Sequence, residues 1–252
     1  MNSGSRMNSL LQRQVSLVMP VYNEAEGISR VLREIQERVL SPLPGSELIV
    51  LEDGSTDGTK ERLRELQAEL GFVLDMKEER RGYLGAMRDG FRQAQCDVIG
   101  FMDSDGQHDP ADFLNLLQVL READLVIGVK HPRRDSVMRR LMGWGLNAVV
   151  IPALFGRNYR DIDCGFRLMR RPVVEYWLAR EWSFRNCVAS ELTLRAAAAG
   201  FRVATCPVAH FPREFGESRG IPPSKVLATA WEVGRNLRRL RRELRGRRNS
   251  EF

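Results

Sequence analysis

Three short stretches put carboxylates where an α/β protein would hold a ligand. They are Pro20-Val21-Tyr22-Asn23-Glu24, Glu52-Asp53-Gly54-Ser55-Thr56-Asp57-Gly58, and Asp103-Ser104-Asp105-Gly106-Gln107-His108-Asp109-Pro110. Each follows an apolar run. In open α/β sheets ligands bind beyond the carboxyl ends of the strands. So many carboxylates at one edge repel one another unless a cation or hydrogen-bond donors stand among them. Asp103 and Asp105 are two apart, which puts both on one face of an extended chain. Two hard oxygen ligands suit Mg²⁺ or Mn²⁺, with the remaining positions left to water and phosphate oxygens. A lone D-x-D is common by chance and would read as a solvated Asx turn. Three acidic strand ends together point to a nucleoside-diphosphate site. The rival phosphate motifs are missing: no G-x-x-x-x-G-K-[ST] occurs, and Gly82, Gly85 and Gly90 do not form G-x-G-x-x-G.

The elements that must carry these residues alternate. Val15–Met19, Glu47–Leu51, Phe72–Leu74, Asp97–Met102 and Asp124–Val129 read as strands. Between them, Ile28 to Leu40, Gly54 to Leu70, Tyr83 to Gln95 and Pro110 to Arg121 have helical spacing. Such alternation predicts a mostly parallel, Rossmann-like sheet flanked by helices. Farther on, a helix is expected over Ser136–Phe155, an edge strand at Gly165–Met169, a helix at Val188–Ala199 and a strand at Phe201–Ala204. The expected division is a disordered extension at 1–14 and one domain at 15–221. Within that domain, 15–130 forms a nucleotide-binding half and 131–221 an acceptor-side half, and a basic amphipathic tail follows at 222–252.

The chain has 252 residues, 43% of them hydrophobic and 29% charged, as expected of a globular protein with a full core. The net charge is +6, and its location matters more than its size. Beyond Ser224 stand Lys225 and eight arginines against Glu232, Glu243 and Glu251, which leaves residues 1–223 formally neutral. A neutral body argues against nucleic acid. No stretch is long and apolar enough for a membrane span, and residues 1–14 do not read as a secretory signal. Cys96, Cys164, Cys187 and Cys206 lie far apart without a C-x-x-C, as expected of reduced thiols in a cytoplasmic protein. In the tail, Val226, Ala230, Val233, Leu237, Leu240 and Leu244 recur at steps of four and three. That stripe, flanked by arginines, is expected to lie on an anionic membrane surface through residues 224–248. Homo-oligomeric pairing with a partner helix is the alternative.

The ordered set PVYNEAEGI, VLEDGSTDGT, FMDSDGQHDP, RDIDCGFRLMRR and FPREFGESR resembles the family 2 glycosyltransferases of the GT-A fold. Within them it is most like the branch of dolichol-phosphate mannose synthases and polyprenyl-phosphate glycosyltransferases, over Val15 to Arg219. The resemblance implies a metal-dependent, inverting transfer of a sugar from a nucleotide-diphosphate donor to a polyprenyl phosphate, and the striped basic tail leads us to expect a cytoplasmic enzyme peripheral to the inner face of the membrane. It places Pro20, Tyr22, Glu24, Leu51 and Asp53 around the donor's base and ribose, with Asp103 and Ser104 also on the donor. It puts the metal on Asp103 and Asp105, with Gln107 in a second line. Glu52 departs from the usual Asp-Asp, which bears on the donor's identity.

An alcohol acceptor would need a general base, for which Asp161 or Asp163 is the candidate. A lipid phosphate, with its second pKa near ~6, is already mostly ionised and needs cations instead. The resemblance offers Arg139 or Arg140, Arg213, Ser218 and Arg219 near acceptor and diphosphate. Arg167 is a further cation that can equally pair with Asp161 or Asp163 for structural reasons. His210 can be read as a third metal ligand or as a satisfied buried histidine. A saccharide acceptor, or a non-catalytic binding protein on the same fold, are the competing readings.

Overall fold

The computed structural model describes residues 14–132, 134, 137–215 and 223–250. The N-terminal extension, apart from Gln14, falls outside them, as do Ser218 and Arg219. Seven strands form one sheet: β1 (Val15–Val21), β2 (Glu47–Asp53), β3 (Val73–Lys77), β4 (Val98–Phe101), β5 (Leu125–Lys130), β6 (Arg167–Arg170) and β7 (Val203–Val208). Their order is β3-β2-β1-β4-β6-β5-β7. All pairings are parallel except those of β6, which runs antiparallel to both β4 and β5. The order reverses between β1 and β4, so a crevice opens at their carboxyl ends, where the acidic stretches lie.

Helices α1 (Ile28–Ile35, prolonged by a π-helical turn at Gln36–Leu40), α2 (Thr59–Leu70), α3 (Gly82–Gln93) and α4 (Asp112–Val119) connect the first five strands. Gly90 lets α3 press onto the sheet: a Cβ there would collide with Val18 and Leu51. Beyond β5 come α5 (Val137–Trp144), a π-helical segment Gly145–Val150 and α6 (Ile151–Phe155), one continuous helical rod. Then follow α7 (Arg171–Leu178), α8 (Val188–Ala198) and α9 (Val226–Ser250).

Three expectations need correcting. The edge strand at Gly165–Met169 is an inner strand, with Arg167, Leu168 and Met169 wholly buried. An arginine in a short run reads as an edge, yet here the guanidinium bonds inward. The last strand continues past Ala204 to Val208, because β7 borders the sheet and an edge tolerates Pro207. Helix α7, begun by Pro172 in its first turn, was not read from the sequence.

The tail differs in what part of its stripe touches. The middle of its stripe is already covered: Val233, Leu237 and Leu240 are buried against Ile151, Ile162, Phe184, Leu194 and Ala197 of the body. Buried Arg195 ties the helix down, bonding Glu191 within α8 and Glu243 of α9 by a bidentate pair at 2.8 and 3.0 Å. These three side chains therefore serve intramolecular packing, while Val226 and Leu244 are half-buried and Ala230 is exposed. No helix among the described residues is long and apolar enough to cross a membrane.

Candidate active site

The loops after β1 and β2 are stitched together. Asn23, in the left-handed region at φ 51°, donates its backbone N–H to Ser55 Oγ at 2.8 Å, and its side-chain oxygen accepts from Thr56 N–H at 2.7 Å. Glu24 N–H donates to Thr59 Oγ1 at 2.8 Å. Glu52, wholly buried, turns away from the crevice and accepts from Ser55 N–H at 2.5 Å. The departure from Asp-Asp thus shapes a turn and is not presented to a ligand. Asp53 faces the crevice, and its two oxygens accept from Arg81 and Gly82 N–H at 2.7 and 2.9 Å. A carboxylate there caps the positive end of α3. It also holds Arg80, whose Nε is 3.8 Å away and whose guanidinium lies 3.9 Å over the Tyr22 ring.

At the end of β4, Asp103 and Asp105 both line the crevice. Desolvation deep in the cleft, and then the charge of Asp105, push the Asp103 carboxyl up to about 6. The Tyr83 hydroxyl donates to Asp103 Oδ1 at 3.1 Å. Gly165 makes room for this carboxylate, since a Cβ would run into it. Two hard carboxylates that repel across a shared space fit a divalent cation. Among the described residues, no group of three or more histidine, cysteine or acidic side chains is gathered for a metal, so any shell would be completed by substrate and water. Gln107 donates through its amide to Phe211 O at 3.1 Å, holding the segment after β7 across the cleft. That segment brings Arg213, which grips both oxygens of Glu24 at 2.6 and 2.7 Å and lies 3.8 Å from Asp105.

The opposite wall comes from β5 and the turn before β6. Lys130 lines the cleft, and its N–H donates to Asp161 Oδ2 at 3.0 Å. Asp161 itself sits at φ 53°. Asp163 opens to the cleft while accepting the N–H and hydroxyl of Ser190, both at 3.1 Å, at the start of α8. Protein packed around it raises its carboxyl by desolvation.

These walls enclose a cleft of about 960 Å³. It gathers Pro20, Tyr22, Glu24, Asp53, Asp103, Ser104, Asp105, Gln107, Asp161, Asp163 and Arg213. Leu51 does not reach it, being buried in the sheet beneath α3. Arg167 does not either: its guanidinium is wholly buried and donates to the carbonyls of Ile162, Cys164 and Ala189 and to Thr193 Oγ1, a structural post under the floor. Arg140 is exposed on α5 and off the cleft lining. His210 is buried beside His108, ring centroids 5.4 Å apart, and its Nδ1 accepts from Arg134 N–H at 3.1 Å. It is not part of the cleft lining. The sequence reading missed Arg80, Tyr83 and Lys130. The tyrosine and the lysine sat at the edges of predicted elements and carried no motif of their own.

A crevice of this chemistry at the switch point of such a sheet defines a GT-A-fold glycosyltransferase. Glucosyl-3-phosphoglycerate synthase from Mycobacterium tuberculosis, solved with Mn²⁺, UDP-glucose and phosphoglyceric acid, superposes with a TM-score of 0.67 over 98% of this chain and 84% of that one. At 20% identity this likeness is one of fold. The chain belongs to glycosyl transferase family 2, whose profile matches residues 16–178. It is 28% identical over 249 residues to an undecaprenyl-phosphate mannosyltransferase of Micrococcus luteus, covering 92% of this chain and 99% of that one. It is 30% identical over 167 residues to a dodecaprenyl-phosphate galacturonate synthase of Rhizobium johnstonii, covering 64% of this chain and about half, 49%, of the relative.

Proposed function

We propose that this chain transfers a sugar, with inversion, from a nucleoside-diphosphate donor to a polyprenyl phosphate, and works as a peripheral protein at the inner face of the membrane. One observation carries the acceptor. Besides its carboxylates, the cleft is lined by the cations Lys130 and Arg134 and by the apolar side chains of Met142, Leu146, Val150, Val233 and Leu237. Cations and hydrocarbon in one cleft suit a phosphate with an apolar tail. The relatives named for undecaprenyl- and dodecaprenyl-phosphate support the same acceptor class.

Tyr22, Arg80 and Asp53 would hold the donor's base and ribose, Tyr22 and Arg80 supplying flat faces and Asp53 an acceptor for N–H or O–H groups. Mg²⁺ or Mn²⁺ on Asp103 and Asp105 would neutralise the charge that grows on the diphosphate as the sugar leaves. Arg213 stands beside Asp105 to share that charge. Tyr83 keeps the Asp103 carboxylate oriented. Lys130 orders Asp161 and offers its ammonium to the incoming phosphate, which is already anionic and asks for no base. A second reading has its own support: Asp163, raised by burial and open to the cleft, is suited to deprotonating a hydroxyl acceptor.

A donor panel with a polyprenyl phosphate, with and without Mg²⁺ or Mn²⁺, tests the proposal. Transfer that needs the metal, falls strongly in Lys130→Ala and survives in Asp163→Asn is the expected result. Transfer only to hydroxyl acceptors, abolished by Asp163→Asn, would replace it with the second reading.

A further inference from the structure

The rod that walls the cleft is apolar on both sides. Met142, Leu146 and Val150 face the cleft, while Val137, Leu141, Trp144 and Val149 stand outward, 79, 63, 62 and 50% exposed. The first three are four and three residues apart, one face of an α-helix. The step to Val149 is five, and it crosses the π-helical segment Gly145–Val150, whose i→i+5 winding keeps the outward face in line. Met138 widens the stripe at 55% exposure. A helix buries its apolar side in a body that exists to be dissolved. This one buries one apolar side in a cleft and leaves another in the open.

The charge beside it has a single sign. Arg235, Arg238, Arg239, Arg242 and Arg245 are exposed along α9. The acids of that helix are turned to the body: Glu232 accepts from Asn186 at 3.2 Å, and Glu243 is held by Arg195. Trp231, next in the chain to Ala230 of the cleft lining, is 65% exposed, with Arg235 at 4.7 Å over its ring. Outward aliphatics, two exposed tryptophans and an all-cationic flank match the boundary between headgroups and acyl chains.

We propose that this outward face of α5 and the π-helical segment docks on an anionic bilayer, Val137, Leu141, Trp144 and Val149 entering the acyl boundary while Trp231 and the outward arginines of α9 meet the headgroups. The membrane is thereby engaged by a different helix from the basic tail's apolar stripe, and the apolar wall of the cleft lies on the other side of the inserted rod. The proposal deepens the lipid-acceptor reading, on which the choice of partner rests.

The full chain is sedimented with vesicles of phosphatidylcholine alone or with about 30 mol % phosphatidylglycerol, while tryptophan emission is followed. Binding is expected chiefly to the anionic vesicles, weakened by salt, with a blue shift that reports Trp144 and Trp231, since Trp177 and Trp182 are already buried. The double variant Leu141→Glu, Trp144→Glu should bind more than about tenfold more weakly. It should keep its far-UV spectrum and its transfer to a short, water-soluble prenyl phosphate. A double variant that sediments like the parent overturns the proposal. So does a parent that ignores vesicles but forms a dimer abolished by those substitutions, which would give the face to a second copy. Soluble-acceptor transfer without vesicle binding refutes the membrane face alone. Vesicle binding without transfer to any polyprenyl phosphate refutes the acceptor reading and leaves the face standing.

Discussion

Replacing Asp103 by asparagine should make the metal-free protein more stable and the enzyme inactive. Burial and the neighbouring charge of Asp105 lift this carboxyl from 3.8 to about 6. The folded state therefore holds the Asp103 proton more tightly than the unfolded chain does, and it is the ionised form that the fold disfavours. Below the unfolded value both states are protonated and the penalty vanishes. It grows as pH rises toward 6 and is complete above it. At about 1.4 kcal/mol per pH unit, the full penalty is at most about 3 kcal/mol, with about half of it present at pH 5. Asn keeps an oxygen for the Tyr83 hydroxyl and carries no charge, so it should recover most of that energy. In a chain of this size, that is a rise in Tm of roughly 5–10 °C at pH 8 and about half as much at pH 5. Differential scanning fluorimetry with and without Mn²⁺ reads both effects, since the parent should gain stability from the ion and the variant should not. An Asn variant that is less stable at pH 8 than the parent, or one that is still stabilised by Mn²⁺, would refute the reasoning.

The same carboxyl should give metal binding its pH dependence: the apparent affinity for Mn²⁺, by calorimetry, should be flat above about pH 7 and fall toward tenfold per unit below 6, as protons compete for Asp103. Gly165→Ala pushes a methyl into the Asp103 carboxylate, so it should weaken Mn²⁺ binding and transfer by more than about tenfold while the fold is kept, as checked by circular dichroism. Arg80→Ala removes the cation that lies over Tyr22 and should raise the donor KM by about tenfold with kcat little changed, as seen in initial-rate kinetics. Leu237→Ala empties a fully buried site between α9 and the body and should cost about 2–5 kcal/mol, read as a lower urea midpoint.

Much of the sheet was legible because a buried parallel strand is a short apolar run, and Val15–Met19, Asp97–Met102 and Asp124–Val129 are such runs. The acidic strand ends were legible for a related reason: D-x-D fixes its two side chains on one face by local geometry alone. Leu51 and Arg167 were misplaced because a motif reports a residue's neighbours along the chain and says nothing of its direction. Leu51 points into the sheet beneath Gly90, and Arg167 points into a ring of carbonyls. Arg80, Tyr83 and Lys130 owe their place in the cleft to contacts far away in sequence, such as the 28-residue separation between Asp53 and Arg81.

The sequence by itself determined the alternation of strands and helices, the carboxylates at their ends, and the concentration of positive charge in one striped helix, since each depends only on residue type and spacing. Tertiary structure alone decided what that stripe touches. Periodicity specifies that an apolar face will be buried, and any apolar surface of matching shape can bury it. Here the covering surface is Ile151, Ile162, Phe184 and Leu194, brought together from α6, the turn before β6, the segment between α7 and α8, and α8 itself. The apolar face left in the open belongs to α5 instead, because α9 and the cleft take up only its other side.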